Sequence, residues 1–154
     1  MFSETAIKEL NEIKTKYQTP LGAIMPSLYI AQREYGWLSP EALKDVSEII
    51  GVPAAIAKGV ASFYTMYKHE LMGRNLIQLC TNVSCMILGA ESLLEYLKKK
   101  LEIDVGETTA DGRFSLLIAE CIGACSDAPA MLVNEDLHEN LTEIKIKEIL
   151  AKYS

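Results

Sequence analysis

The sequence predicts an α/β protein in which a helical bundle precedes an α/β sandwich, and three observations carry this prediction. Residues 1–74 show apolar side chains at helical spacing in four successive segments. Residues 75–154 contain short apolar runs that are typical of buried strands, separated by helical patterns. The length of 154 residues and the hydrophobic fraction of 49% fit an ordinary globular chain with its own core. We therefore expect two domains, 1–74 and 75–154.

The first domain is predicted to contain four helices. Ser3 is a candidate N-cap for a helix whose apolar face carries Ile7, Leu10, Ile13 and Tyr17. A second helix is expected from about Ala23 to Tyr35. Short links between short helices are typical of a small bundle.

The third and fourth helices have clear start signals. Ser39-Pro40 combines an N-cap with proline at the first helical position, and Gly51 is expected to end that helix. Pro53 is expected to begin a fourth helix that carries Ile56, Val60 and Phe63. The aromatic residues of 63–67 are interpreted as core residues at the domain junction.

The spacing of apolar residues changes in the second domain, where short apolar runs replace the purely helical pattern. Strands are predicted at 75–80 (NLIQLC), 114–119 (FSLLIA) and 129–133 (PAMLV), with a short extra strand near Leu137. One helix is expected from Ser84 to about Leu101, and Thr142 can cap a last helix. The order is therefore β-α-β-β-α with a short added strand, which predicts an α/β sandwich with a mostly covered sheet.

Charge is distributed unevenly between the two domains. The whole chain has 15 basic and 21 acidic residues, a net charge of −6. Residues 1–74 are neutral (8 − 8), and residues 75–154 carry the excess (7 − 13 = −6). An acidic chain is a poor match for nucleic acid as the main partner. The sequence shows no signal peptide and no apolar run long enough for membrane insertion, so a cytoplasmic chain with reduced thiols is expected.

All four cysteines lie in the acidic domain. The pattern is Cys80-x4-Cys85, then 35 intervening residues, then Cys121-x3-Cys125. Cys80 ends the first predicted strand, and Cys121 follows the second. If the two strands are neighbours in one sheet, both loops lie at the same edge and the four thiolates converge.

Four interpretations of these cysteines are open on the residues alone. A [2Fe–2S] cluster takes four thiolates, two on each iron. Structural zinc can also take four cysteines. Dithiol redox chemistry normally requires C-x-x-C, which neither pair has, and buried free thiols are the plain alternative. A Rieske centre needs two histidines, but His69 and His138 lie far from the cysteines in sequence and are expected at the surface.

Residues near the cysteines suit an anionic group. Cys85 is expected in the first turn of its helix, where free N–H groups favour a thiolate. Hydrogen-bond donors and small residues between the cysteines are candidate cluster neighbours: Thr81, Ser84, Gly123, Ala124 and Ser126. Nearby Glu120, Asp127, Glu135 and Asp136 would oppose an added electron, which predicts a negative reduction potential.

The cysteine motifs resemble a known family. The segments CTNVSCMILGAE (80–91) and ECIGACSDAPAMLVN (120–134) are similar to the thioredoxin-like [2Fe–2S] ferredoxin subunit, the E-type subunit, of NADH:quinone oxidoreductase. The segments REYGWLSPEAL (33–43) and GVASFYTMY (59–67) resemble the N-terminal helices of that family. The resemblance runs from about Ala23 to Tyr153 and maps the family's four ligands onto Cys80, Cys85, Cys121 and Cys125.

The resemblance implies a thioredoxin-like fold for the second domain and an electron-transfer role. The chain would be a non-catalytic subunit of an oxidoreductase, with no catalytic residues of its own. FMN and NADH would bind to a larger flavoprotein partner, since this sequence has no glycine-rich dinucleotide fingerprint. The same subunit type occurs in NAD-linked or electron-bifurcating hydrogenases and in formate dehydrogenases. The alternative hypothesis, from a different functional class, is a zinc-stabilised interaction module.

Overall fold

The computed structural model describes residues 2–153 and divides into two compact units, with the boundary between Leu71 and Met72. Each unit has its own hydrophobic core. The helical unit contains no strand within its described residues, and the second unit contains the sheet. The units are therefore described one at a time.

The helical unit consists of α1 (Glu4–Lys16), α2 (Ile24–Tyr35), α3 (Pro40–Ile50) and α4 (Ala54–Phe63). A 3-10 turn, Pro20–Ala23, leads into α2. The predicted caps are confirmed, because the hydroxyls of Ser3 and Ser39 accept hydrogen bonds from the backbone N–H three residues later. The largest fully buried side chains of this core are Leu10, Ile24, Leu28, Val46 and Ile50.

The buried face of α4 differs from the prediction. Ala57 and Ala61 are fully buried, whereas Ile56 is 39% and Phe63 is 78% exposed. Ala57 and Ala61 are four residues apart and share one helix face, which packs inward. Small side chains on this face let the helix pack closely, and the larger apolar side chains lie on other faces.

The prediction that residues 63–67 are core aromatics is confirmed only for Tyr67. Its ring is buried, and its hydroxyl donates a hydrogen bond to the carbonyl oxygen of Met25 at 2.9 Å. Burial raises the pKa of Tyr67 to about 12. Tyr64 is half-buried against the same core. Phe63 is exposed, so the prediction is wrong for that residue.

Fewer of the predicted apolar side chains of α1 are buried than expected. Leu10 is fully buried, but Ile7 and Tyr17 are exposed, and Tyr17 lies one residue beyond the end of α1. Ala6 takes the second buried position of this helix.

The second unit is built on a four-stranded mixed sheet. Its strands are β1 (Asn75–Cys80), β2 (Phe114–Ala119), β3 (Met131–Val133) and β4 (Asp136–His138). Their spatial order is β2-β1-β3-β4. Strands β1 and β2 are parallel, and the pairs β1–β3 and β3–β4 are antiparallel. The structure confirms the predicted α/β class and the predicted order of strands along the chain; the spatial order was not predicted.

Three helices accompany the sheet: α5 (Val83–Ile87), α6 (Ala90–Leu101) and α7 (Glu143–Lys152). The hydroxyl of Thr142 caps α7, as predicted, by accepting the N–H of Lys145 at 3.2 Å. The core of this unit contains fully buried side chains from the strands and from both long helices, among them Ile77, Leu79, Leu97, Leu116, Met131, Val133 and Ile146.

The single helix predicted over Ser84 to Leu101 is wrong. Gly89 has a φ of 96°, a left-handed conformation that ends the helical path, and α6 begins only at Ala90. The predicted helix is therefore divided into the short helix α5 and the longer helix α6. The third strand is also shorter than predicted, since it begins at Met131 rather than Pro129.

No single helix within residues 2–153 has the length and apolar character required to cross a bilayer. Helices α3 and α4 meet that requirement only when taken together, and they are bent by 120°.

Candidate functional site

Parallel pairing of β1 and β2 brings the two cysteine loops to one edge of the sheet. Cys80, the last residue of β1, is aligned with Ala119, the last residue of β2. The N–H of Thr81 then donates to the carbonyl oxygen of Ala119 at 3.1 Å, so the two chain segments leave the sheet side by side. The prediction that both loops lie at the same edge is confirmed.

The four thiols fall into a buried pair and an exposed pair. Cys80 and Cys85 are buried, and Cys121 and Cys125 are exposed; none forms a disulfide. The neighbouring thiols of Cys85 and Cys121 help to lower the pKa of the Cys80 thiol. Cys125 is close enough to Cys85 for its charge to affect the pKa of that thiol. The four cysteines thus lie in two loops at one edge of the sheet, two of them buried and two exposed.

Backbone N–H groups supply the polar contacts of the buried pair. Burial raises the pKa of the Cys80 thiol, but N–H donors from Asn82 and Ile122 and the two neighbouring thiols outweigh it, so the pKa lies below its ordinary value. Burial and the neighbouring Cys80 thiol raise the pKa of the Cys85 thiol. One N–H donor, from Ala130, lowers this pKa by a smaller amount. The Cys80 thiol also donates to the carbonyl oxygen of Glu120 at 3.9 Å.

The sequence contains little that identifies these N–H donors. A backbone N–H is present at almost every position, so only the folded loops show which ones point at a sulfur. Asn82 ends the loop after β1 as the N-cap of α5, and its side chain accepts the N–H of Val83 at 2.8 Å. Cys85 lies in the first turn of α5, as predicted.

The five predicted neighbours of the cluster occupy the two cysteine loops. Thr81 and Ser84 are half-buried and Ala124 is buried. Gly123 is exposed, with a φ of 83° that favours glycine. The hydroxyl of Ser126 donates to Asp127 at 2.7 Å, and this bond, with a second from Asn140, holds the pKa of Asp127 below its ordinary value.

Two of the four acidic residues expected near the cysteines are elsewhere. Glu120 precedes Cys121, and Asp127 follows Cys125 by two residues. The turn with Glu135 and Asp136 follows Val133, which pairs with Ile77 in the first half of β1. The N–H of Asn134 in this turn donates to the carbonyl oxygen of Leu76 at 2.8 Å. Glu135 and Asp136 therefore lie towards the opposite end of the sheet, and the expectation that they lie beside the cysteines is wrong.

Large apolar side chains are exposed on and beside α5. Val83, Met86, Ile87 and Leu88 are between 46% and 75% exposed, although they flank buried Cys85. Exposed apolar side chains in contiguous positions mark surfaces that bind other molecules. Sequence reasoning missed this feature, because the segment VSCMIL fits an ordinary buried helix as well as an exposed one.

The donor set at this edge suits a cluster with two irons. It offers four thiols from two loops, which matches the two thiolates that each iron of a [2Fe–2S] cluster requires. Within residues 2–153, no three His, Cys, Asp or Glu side chains are grouped as the ligands of a single metal ion would be.

Comparisons with known proteins agree with this geometry. Residues 10–154 match the model of the thioredoxin-like [2Fe–2S] ferredoxin family. The chain is 42% identical to E-type subunit 2 of the NADH-quinone oxidoreductase of Rhizobium meliloti, over 97% of this chain and 89% of that protein. It is 35% identical to the E-type subunit of the NADH-quinone oxidoreductase of Pseudomonas aeruginosa, over 99% of this chain and 92% of that protein.

A solved structure of an NAD+-reducing [NiFe]-hydrogenase in the H2-reduced state matches with a TM-score of 0.75 at 26% identity. The match covers 89% of this chain and 23% of the hydrogenase chain. The family model matches nearly the whole length, and the relatives are similar over nearly their full length. This chain therefore belongs to the thioredoxin-like [2Fe–2S] ferredoxin family.

Proposed function

We propose that this chain is an electron-transfer subunit that carries one [2Fe–2S] cluster in an NADH:quinone oxidoreductase. The observation that carries the proposal is the position of four free thiols in the two loops that follow a pair of parallel strands, in a chain of this family. Cys80, Cys85, Cys121 and Cys125 would hold the cluster. When bound, the cluster supplies one-electron transfer.

The chain's own residues would stabilise the thiolates unequally. For Cys80, N–H donors from Asn82 and Ile122 help to outweigh the loss of water, whereas for Cys85 the single donor from Ala130 does not. The exposed pair, Cys121 and Cys125, faces outward. This exposure would leave the outward pair accessible to a neighbouring protein.

The electron donor in this proposal is the flavin of an NADH-oxidising partner. FMN and NADH would bind to that flavoprotein, and this chain would bind neither. The exposed apolar side chains Val83, Met86, Ile87 and Leu88 support a docking surface next to the thiols. Residues 1–74 would form the helical domain and residues 75–154 the cluster domain of a cytoplasmic subunit, in the peripheral part of the complex.

A second candidate is the equivalent subunit of an NAD-linked hydrogenase. It is favoured by the fold match to the NAD+-reducing [NiFe]-hydrogenase, in which the similar segment forms about a quarter of a longer chain. Purification of the native complex distinguishes the two candidates, because quinone reductase activity and hydrogen-dependent NAD+ reduction require different partner subunits.

Iron and sulfide analysis of the purified chain tests the cofactor. We expect two irons and two acid-labile sulfides per chain, with visible colour and an EPR signal after reduction. One zinc per chain, without colour, would refute the proposal and support a zinc-stabilised module.

Ligand variants test the site itself. Cys121→Ala is expected to lose the cluster or to hold it weakly, while the unit keeps its fold, since its core lies among strands and helices away from the thiols. Ser126→Ala, in the same loop, is the matched control and should keep both irons. Retention of the full native cluster by Cys121→Ala would remove that residue from the ligand set.

A redox titration followed by EPR tests the predicted negative potential. Glu120 and Asp127 are the acidic residues of the cysteine loops, and their charges oppose an added electron. A clearly positive midpoint would contradict this expectation.

A further inference from the structure

A second concave site lies in the sheet-containing unit, at the other end from the cysteines. It is a cleft of about 520 Å³ between the last turn of α6, the loop 109–113 that leads into β2 (the β2 entry loop) and α7. Phe114, which lines the cleft, pairs with Asn75 at the start of β1, whereas Cys80 is at the end of that strand. Six residues of strand separate the two sites by roughly 17 Å.

Three cations and one carboxylate line this cleft. The cations are Lys100, Arg113 and Lys147, and the carboxylate is Asp111. The local balance is therefore 3 − 1 = +2, in a domain whose residues 75–154 have a net charge of −6. Leu101 and Leu150 contribute apolar surface to the lining of the cleft. The volume lies within the range of small-molecule sites.

Arg113 is held in place by contacts that leave part of its guanidinium free. Its Nε donates to the carbonyl oxygen of Tyr153 at 2.8 Å, and one terminal nitrogen donates to that of Leu150 at 3.0 Å. The guanidinium also lies 4.8 Å from the centre of the Phe114 ring. Arginine has five N–H donors, so two such bonds leave others for a ligand in a fixed direction.

The two lysines have no ion-pair partner among residues 2–153. Lys100 is in the last turn of α6, where a cation suits the helix dipole. Lys147 is in the middle of α7, so the dipole does not explain its position. Glu143, one turn before it, is the nearest acidic residue in α7 that shares its face, and no salt bridge joins them.

The carboxylate in the cleft is already engaged. One oxygen of Asp111 accepts the Thr109 hydroxyl at 2.6 Å and the N–H of Arg113 at 2.9 Å. These bonds hold the pKa of Asp111 below its ordinary value. The bonds fix Asp111 in the β2 entry loop, while both lysines and the free edge of Arg113 remain available.

We infer that this cleft binds a small molecule that carries a phosphate group. A fixed arginine and two lysines on flexible stems suit a doubly charged phosphate, which accepts several hydrogen bonds at once. The apolar wall and the volume leave room for an organic group attached to the phosphate. The site is separate from the cysteine edge and its ligand would not contact the cluster.

NMR titration of the full-length chain tests the inference. Inorganic phosphate, pyrophosphate and ATP are added separately at constant ionic strength, with sodium chloride as the reference. We expect saturable shifts of the amide signals of Lys100, Arg113 and Lys147. Tighter binding of ATP than of phosphate and pyrophosphate indicates a nucleotide, whereas equal binding of all three indicates recognition of the phosphate group alone; both outcomes support the site.

Lys147→Gln and Lys100→Gln are the test variants, because both lysines are exposed and their loss leaves the cap of α7 intact. Each should weaken phosphate binding about tenfold. Lys152→Gln removes the same charge from α7 outside the cleft and should change binding less than about twofold. The inference is overturned if phosphates produce no saturable shifts, or if the cleft variants bind as tightly as the Lys152 control.

Discussion

Replacing Gly123 by alanine tests how the loop between Cys121 and Cys125 holds the exposed thiols. Gly123 has a φ of 83°, and a Cβ built on it meets no atom within 4 Å. The substitution therefore introduces conformational strain without a clash. A left-handed conformation costs a non-glycine residue about 1–2 kcal/mol. The free energy required to open the loop should fall by this amount. The open form should therefore become about 5–30 times more populated.

Chelator-driven loss of the cluster measures this opening. If the chelator reaches the irons through the open loop, the rate of bleaching in Gly123→Ala should rise by the same factor of about 5–30. Gly123→Asn should lie between the alanine variant and the native chain, because asparagine adopts left-handed conformations more easily than alanine.

Gly112→Ala is the matched control. Gly112 has a φ of 66°, and its added Cβ also meets nothing within 4 Å. Its carbonyl oxygen accepts the N–H of Arg74 at 3.0 Å, just before β1, so it is at the end of the sheet away from the cysteines. Its strain should lower stability by a similar amount without faster bleaching. Equal bleaching rates in the two variants, or a native rate in Gly123→Ala, would refute the reasoning.

Three further predictions concern stability, and chemical denaturation measures each. Ser115→Ala should cost about 1–3 kcal/mol, because the fully buried hydroxyl of Ser115 accepts the buried N–H of Gly73 at 2.7 Å; an unchanged midpoint would show that this N–H finds another partner. Leu97→Ala should cost about 2–5 kcal/mol, whereas Ile144→Ala should be near neutral, since Leu97 is fully buried and Ile144 is 74% exposed. Burial lowers the pKa of His138 below 6.5, so the folded state binds its proton less readily than the unfolded chain; stability should fall as the pH drops through 6.5, and His138→Gln should flatten that slope.

The helix starts can be predicted because their signals are local. The Ser39 hydroxyl and the N–H of Ala42 that it caps are three residues apart, and the same holds for Thr142 and Lys145. The strands at 75–80 and 114–119 have their predicted bounds, because each is a short apolar run. The break at Gly89 is not predicted, since an isolated glycine within a helical pattern is often tolerated.

Which face of a helix packs inward depends on its neighbours. Helix α4 offers Ile56 and Phe63 on one side and Ala57 and Ala61 on another, and hydrophobicity alone favours the larger side chains. The bundle selects the alanine face, because small side chains permit a closer approach. In the same way, α5 leaves Ile87 exposed beside a buried cysteine.

By itself, the sequence determined the α/β class, the two-pair arrangement of the cysteines and the resemblance that family comparison bears out, because these depend on residue type and spacing along the chain. Only the tertiary structure decided that Cys80 aligns with Ala119, that one thiol pair is buried and the other exposed, and that Glu135 and Asp136 lie away from them. Contacts between residues distant in sequence decide strand register, burial and the direction of backbone N–H groups. The spacing of residues along the chain does not specify these contacts.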